Sequence, residues 1–140
     1  TNAGTIAIAS AELAADSSLH TNAGTITIRQ STVNDKTRGH TNAGTITIVQ
    51  SALKGGASFT TNAGTIHFNG SIAPNGDYIF KTNAGTIDAI LPADSSFALT
   101  AHTSMGTVTN EFRSNLVGDG PYARLNLETP MGTITVRRQR

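Results

Sequence analysis

Apolar and polar residues alternate with a period of two in short stretches that recur along the chain, as in Thr25-Ile26-Thr27-Ile28, Thr45-Ile46-Thr47-Ile48 and Thr133-Ile134-Thr135-Val136. Such alternation describes a strand with one buried and one open face, Ile inward and Thr outward. The same hexapeptide, Thr-Asn-Ala-Gly-Thr-Ile, begins at Thr1, Thr21, Thr41, Thr61 and Thr82, with relatives at Thr103 (Thr-Ser-Met-Gly-Thr-Val) and Thr129 (Thr-Pro-Met-Gly-Thr-Ile). The starts lie 20, 20, 20, 21, 21 and 26 residues apart. A fixed period of this size marks a stack of repeated units. The expected fold is therefore all-β, a single-domain β-solenoid of about seven turns over residues 1–140, with a longer loop in its last full turn around Val117-Gly118-Asp119-Gly120-Pro121.

Stacking places equivalent side chains in columns ~4.8 Å apart. One inward column is Ile6, Ile26, Ile46, Ile66, Ile87, Val108 and Ile134. The glycines Gly4, Gly24, Gly44, Gly64, Gly85, Gly106 and Gly132 precede each strand, where a corner requires positive φ or close backbone approach. A second apolar patch comes before each hexapeptide, as at Tyr78-Ile79-Phe80 and Leu125-Asn126-Leu127, so each turn should hold at least two strands. Polar stretches such as Asn34-Asp35-Lys36 and Pro74-Asn75-Gly76 read as loops. Ala11-Glu12-Leu13-Ala14-Ala15 has helical composition but is too short to stand as a helix alone.

Composition narrows the picture. With 37% apolar and 14% charged residues the chain is too sparing in charge to be disordered, and five Phe, two Tyr and no Trp suit a thin aliphatic core. A net charge of +1 provides no field for nucleic acid or an anionic membrane, and no apolar run reaches the ~20 residues of a membrane span. There is no cysteine, hence no disulfide framework. A start at Thr1 rather than Met suggests a removed leader or a fragment, and the expected location is extracellular or at the cell surface.

The stretch from Leu91 to Val108, Leu-Pro-Ala-Asp-Ser-Ser-Phe-Ala-Leu-Thr-Ala-His-Thr-Ser-Met-Gly-Thr-Val, followed by Leu125-Asn126-Leu127-Glu128-Thr129-Pro130-Met131-Gly132-Thr133-Ile134, resembles the bacterial adhesin-like domains of the DUF4097 family. The resemblance spans essentially the whole chain and is most specific from about Gly85 to Val136. It implies a β-solenoid on the bacterial envelope, adhesive and without catalytic residues. This chain departs from the family in having Thr after the Gly, where Asp or Ser is common, and in repeating one hexapeptide five times unchanged.

Several columns are candidate sites. Asn2, Asn22, Asn42, Asn62 and Asn83 should form an amide ladder that steadies a corner, or a row that binds a ligand. The ladder should stop at Ser104 and Pro130, and Pro130, lacking an N–H, should lie near an edge. His20, His40 and His102 share the place before the hexapeptide, but Thr60 and Lys81 break that column and no carboxylate reliably joins it, so neither a metal nor another cofactor is expected. Among the nine acids only Asp88 and Glu111 fall on the strand after the Gly, which gives no pair suited to sugar cleavage, although a carbohydrate-active β-helix is the enzyme alternative. Outward Thr columns are the mark of an ice-binding alternative. The first, Thr5, Thr25, Thr45, Thr65, Thr86, Thr107 and Thr133, is unbroken; the second is interrupted by His67 and Asp88. The basic end Arg137-Arg138-Gln139-Arg140 reads as a solvated tail.

Neither end of the pattern shows a cap. The first and last units should thus offer unpaired strand edges, Thr1, Thr5 and Ile6 at one end and Met131, Thr133 and Ile134 at the other. The expected role is structural or adhesive, not enzymatic, either by self-association through these edges or as one domain of a longer surface adhesin whose flanking parts supply the caps. The expected partners are further copies of the chain, joined end to end, and a surface or carbohydrate ligand.

Overall fold

The structure, a computed structural model, describes residues 2–139. It is all-β, with no helix among the described residues. The strands are β1 (Ala3–Ala9), β2 (Glu12–Leu13), β3 (Ser18–Arg29), β4 (Thr32–Val33), β5 (Thr37–Leu53), β6 (Gly56–Ile72), β7 (Asp77–Leu91), β8 (Phe97–His102), β9 (Met105–Asn110), β10 (Leu116–Val117), β11 (Ala123–Glu128) and β12 (Met131–Arg138). They form one large sheet, parallel throughout except where β10 runs antiparallel to β8. The alanine-rich stretch gives β2 and a turn instead of helix.

The hexapeptides pair in register. Gly4 lies beside Gly24, Gly24 beside Gly44, Gly44 beside Gly64 and Gly64 beside Gly85, with the flanking Thr and Ile matched in the same way. Gly44 shows why the place admits no side chain: its φ is +143°, and a Cβ there would fall on the carbonyl oxygen of Gly24. Ile26, Ile46, Ile66, Ile87 and Ile134 are fully buried, as are Phe59, Phe80 and Leu127 from the patches that precede the hexapeptides. All belong to one core cluster. Ile6 is only partly buried and Val108 is 41% exposed, because each ends the column.

The order of the last two units departs from the sequence order. β12 pairs with β7 on one side and β9 on the other, and β11 lies likewise between β7 and β8. The seventh unit is therefore inserted between the fifth and the sixth. Met131, Thr133 and Ile134 are interior to the sheet and not at an edge; the outer edge belongs to β9. The physical reason lies in the inward places. Where other units turn Ile28, Ile48, Phe68 or Val136 inward, the sixth has Asn110, and where they bury Phe59, Phe80 or Leu127 it has Ala101. The unit with the poorer apolar face goes outside.

Two side-chain devices complete the corners. The first Thr of the unit is buried, and its hydroxyl donates to the carbonyl two residues on: Thr21 to Ala23, Thr41 to Ala43, Thr61 to Ala63, Thr82 to Ala84 and Thr129 to Met131, at 3.1–3.3 Å. Beyond the Thr-Ile run, Ser31 between β3 and β4 and Ser51 at a register shift within β5 are buried and accept the backbone N–H groups of Ala11 and Ser31, respectively. Pro130 belongs to the unit next to the outermost one, near the edge but not at it. The second place of the unit drops out of the strand pairing, as at Asn22 between the Thr21–Thr41 and Ala23–Ala43 pairs, so a missing N–H is tolerated there.

Tyr78 is fully buried, with its hydroxyl 3.0 Å from the carbonyl oxygen of Leu53 and 2.9 Å from that of Ala73. Burial pushes its phenol up from 10.0 to about 12. Because the folded state holds the proton more tightly, this group's contribution is fully present below pH 10 and is lost as pH rises through 12. Unfolding followed in denaturant should show about 2–3 kcal/mol less stability at pH 12 than at pH 9. A flat profile that Tyr78→Phe leaves unchanged would refute this assignment.

Candidate functional site

The side chains at the second place of the unit form a continuous amide ladder. Asn22 Nδ2 donates to Asn2 Oδ1 (3.1 Å), Asn42 to Asn22 (3.3 Å), Asn62 to Asn42 (3.1 Å) and Asn83 to Asn62 (3.2 Å). Two histidines join it. The rings of His20 and His40 stack with centroids 5.2 Å apart and planes within 9°. His20 Nε2 lies 3.0 Å from Asn22 Oδ1, and His40 Nε2 lies 2.9 Å from Asn42 Oδ1. An amide oxygen can only accept, so Nε2 carries the proton in each ring. His40 Nδ1 is 2.8 Å from the Thr60 hydroxyl, which donates to it in the neutral ring. The two Asn oxygens thus receive two hydrogen bonds each, and the Nε2 atoms are committed to the ladder instead of facing a metal. No group of three His, Cys, Asp or Glu suited to a metal ion occurs among the described residues. His102 is remote from this pair in the column and lies beside Glu128.

The outward Thr face is half-buried along Thr25, Thr45, Thr65 and Thr86 and exposed at Thr5, Thr107 and Thr133. Its second column carries an ionic cluster in its middle: His67 Nδ1 is 3.2 Å from Asp88 Oδ2, and Arg137 Nε is 3.6 Å from Asp88 Oδ1. A ring and two charges thus interrupt the repeating hydroxyls on that face. Asp88 is held by these partners, and Glu111 Oε2 accepts the backbone N–H of Arg138 at 3.0 Å. A shallow groove lined by Asp77, Ile79, Thr100, Arg124 and Asn126 crosses the β7–β11–β8 face, with Asp77 and Arg124 joined at 2.6 Å.

The ends of the sheet differ from each other. At the first end, β1 pairs only with β3 among the described residues, and Ile6, Ile8 and Leu19 are partly buried beside the core. Thr1, expected at this edge, lies outside the described residues. At the other end β9 pairs only with β12 among the described residues. There the expectation of a wholly open end is corrected, because the segment after β9 folds across half of it. Asn110 Oδ1 accepts the Phe112 N–H (2.9 Å) and its Nδ2 donates to the Ser114 carbonyl (2.8 Å), which turns the chain. Phe112 is 7% exposed and meets Phe97 edge-on at 5.1 Å, and β10 then pairs with β8. Arg138 lies over the Phe112 ring at 5.1 Å, so Arg137 and Arg138 belong to β12 and are not a solvated tail. Arg140 lies outside the described residues. Polar Asn110 at an inward place was the sequence signal for this cap.

Compared with known proteins, the chain matches no family model, no curated protein and no solved structure.

Proposed function

We propose that the chain is a β-solenoid of seven turns with a structural or adhesive, non-catalytic role outside the cell or at its surface, and that copies associate end to end. The observation that carries this reading is the pair of half-paired strands, β1 and β9, which bear the same pattern and run parallel within one sheet. An edge strand with an unused row of backbone groups is a template for another strand unless something blocks it. The in-register columns of Gly, Asn, Ile and Thr favour a stiff rod, since each unit repeats what the next one needs. The resemblance to DUF4097 domains supports an adhesive setting on a bacterial envelope, with a polar surface or carbohydrate as the ligand of the exposed faces.

Electron microscopy and sedimentation of the unaltered chain test the reading. Fibres are expected, with an axial repeat of about 34 Å from seven strands at ~4.8 Å. Monodisperse particles of 14.5 kDa at the highest soluble concentration would overturn it.

A further inference from the structure

Resting on the self-associating reading above, we infer that the joint is a single strand pair: β9 of one copy lies parallel and in register on β1 of the next, with Gly106 against Gly4 and Val108 against Ile6. Three observations converge. First, these two strands close the same sheet at opposite ends, each with one strand neighbour, and inside the sheet the equivalent strands all pair in that register.

Second, the Gly column has a polarity. A Cβ on Gly24, Gly44, Gly64 or Gly85 would strike the carbonyl of the preceding unit's Gly, and one on Gly106 would strike that of Gly132. Gly4 has the same kind of backbone, with φ +126°, yet a Cβ there meets nothing within 4 Å. The place that holds a neighbour's carbonyl in every other unit is empty at Gly4, and the Gly106 carbonyl of another copy fits it.

Third, exposed apolar side chains gather at the β9 end. Met105 is 70% exposed, Val108 41% and Leu116 56%. Val108 ends a column that is otherwise fully buried in the interior strands, and Ile6 ends it on the other side.

The surfaces are different on the two partners, so the contact is heterologous and propagates instead of closing on itself. The cap formed by Phe112 and β10 lies on the β8 half of that end, which confines the joint to β9.

Two single variants and their mixture test this. Gly4→Ala places a methyl in open space in the lone chain but on the Gly106 carbonyl in the joint. Val108→Lys places a charge on the outer strand. Each alone should raise the concentration needed for assembly at least about tenfold and remain a folded monomer by sedimentation and circular dichroism. Mixed in equal amounts, the intact β9 of the first variant meets the intact β1 of the second, and a dimer of twice 14.5 kDa should form and grow no further. If the unaltered chain forms fibres and either variant still does, or the mixture stays monomeric, the strand assignment is wrong while the self-associating reading stands. If the unaltered chain does not assemble at all, both fall.

Discussion

A valine at position 44 is expected to cost more than about 4 kcal/mol, enough to unfold a domain of ordinary marginal stability. Two effects add. The backbone at Gly44 has φ +143°, which a β-branched L residue adopts only with strain. The larger effect is steric, because the first side-chain atom would occupy the position of the Gly24 carbonyl oxygen. That oxygen is backbone and cannot swing away. β3 and β5 would have to part over the whole in-register run from Ser18–Arg38 to Arg29–Val49. Denaturant unfolding of Gly44→Val against the parent measures this, and a loss of no more than about 1 kcal/mol, the ordinary cost of losing glycine's backbone freedom, would show that the units are not stacked as described.

Ile46→Asp is expected to destabilise by several kcal/mol at neutral pH. Ile46 is fully buried between Ile26 and Ile66, and the core cluster around it is hydrophobic, so an ionised carboxylate would have neither water nor a cation. Burial would raise the carboxyl's pKa, and so the deficit should shrink as pH falls and the neutral acid takes over. Ile46→Val, which removes one methylene, should lose only about 0.5–1.5 kcal/mol at either pH. Equal stability of the Asp variant and the parent at pH 7 would reverse the assignment of inward and outward faces.

Much of this arrangement could be read from the residues. Alternation of Thr and Ile fixes which side of a strand is buried, and a Gly recurring just before every Thr-Ile or Thr-Val pair points to a place without room for Cβ, although the structure puts it inside each strand and not ahead of it. The Asn ladder followed from placing one amide above another. The order of the last two units was less accessible, because Thr-Pro-Met-Gly-Thr-Ile and Thr-Ser-Met-Gly-Thr-Val can each pair with the fifth unit, and the hexapeptide does not discriminate between neighbours. What discriminates is the quality of the inward face. Asn110 and Ala101 stand where Val136 and Leu127 stand in the seventh unit, and that contrast sends the sixth outward. The buried Thr of the first place was missed for a related reason. Alternation counted back from Ile26 puts Thr21 outward, but it breaks at Asn-Ala, where the pairing lapses, and Thr21 and its equivalents are buried, with the carbonyl two residues on satisfying the oxygen.

The insertion of the seventh unit also fixes the order in which the molecule can be completed during synthesis. Each unit from the second to the fifth finds its partner in the unit just made, so pairing can follow the growing chain. The sixth cannot: its neighbours β11 and β12 are translated after it, and β8 and β9 must wait beside a gap that only those strands fill. That step is therefore cooperative and follows the synthesis of β12. Chains cut before β11 would lack the strands that hold β9 in place, so only chains that include β12 would present that edge.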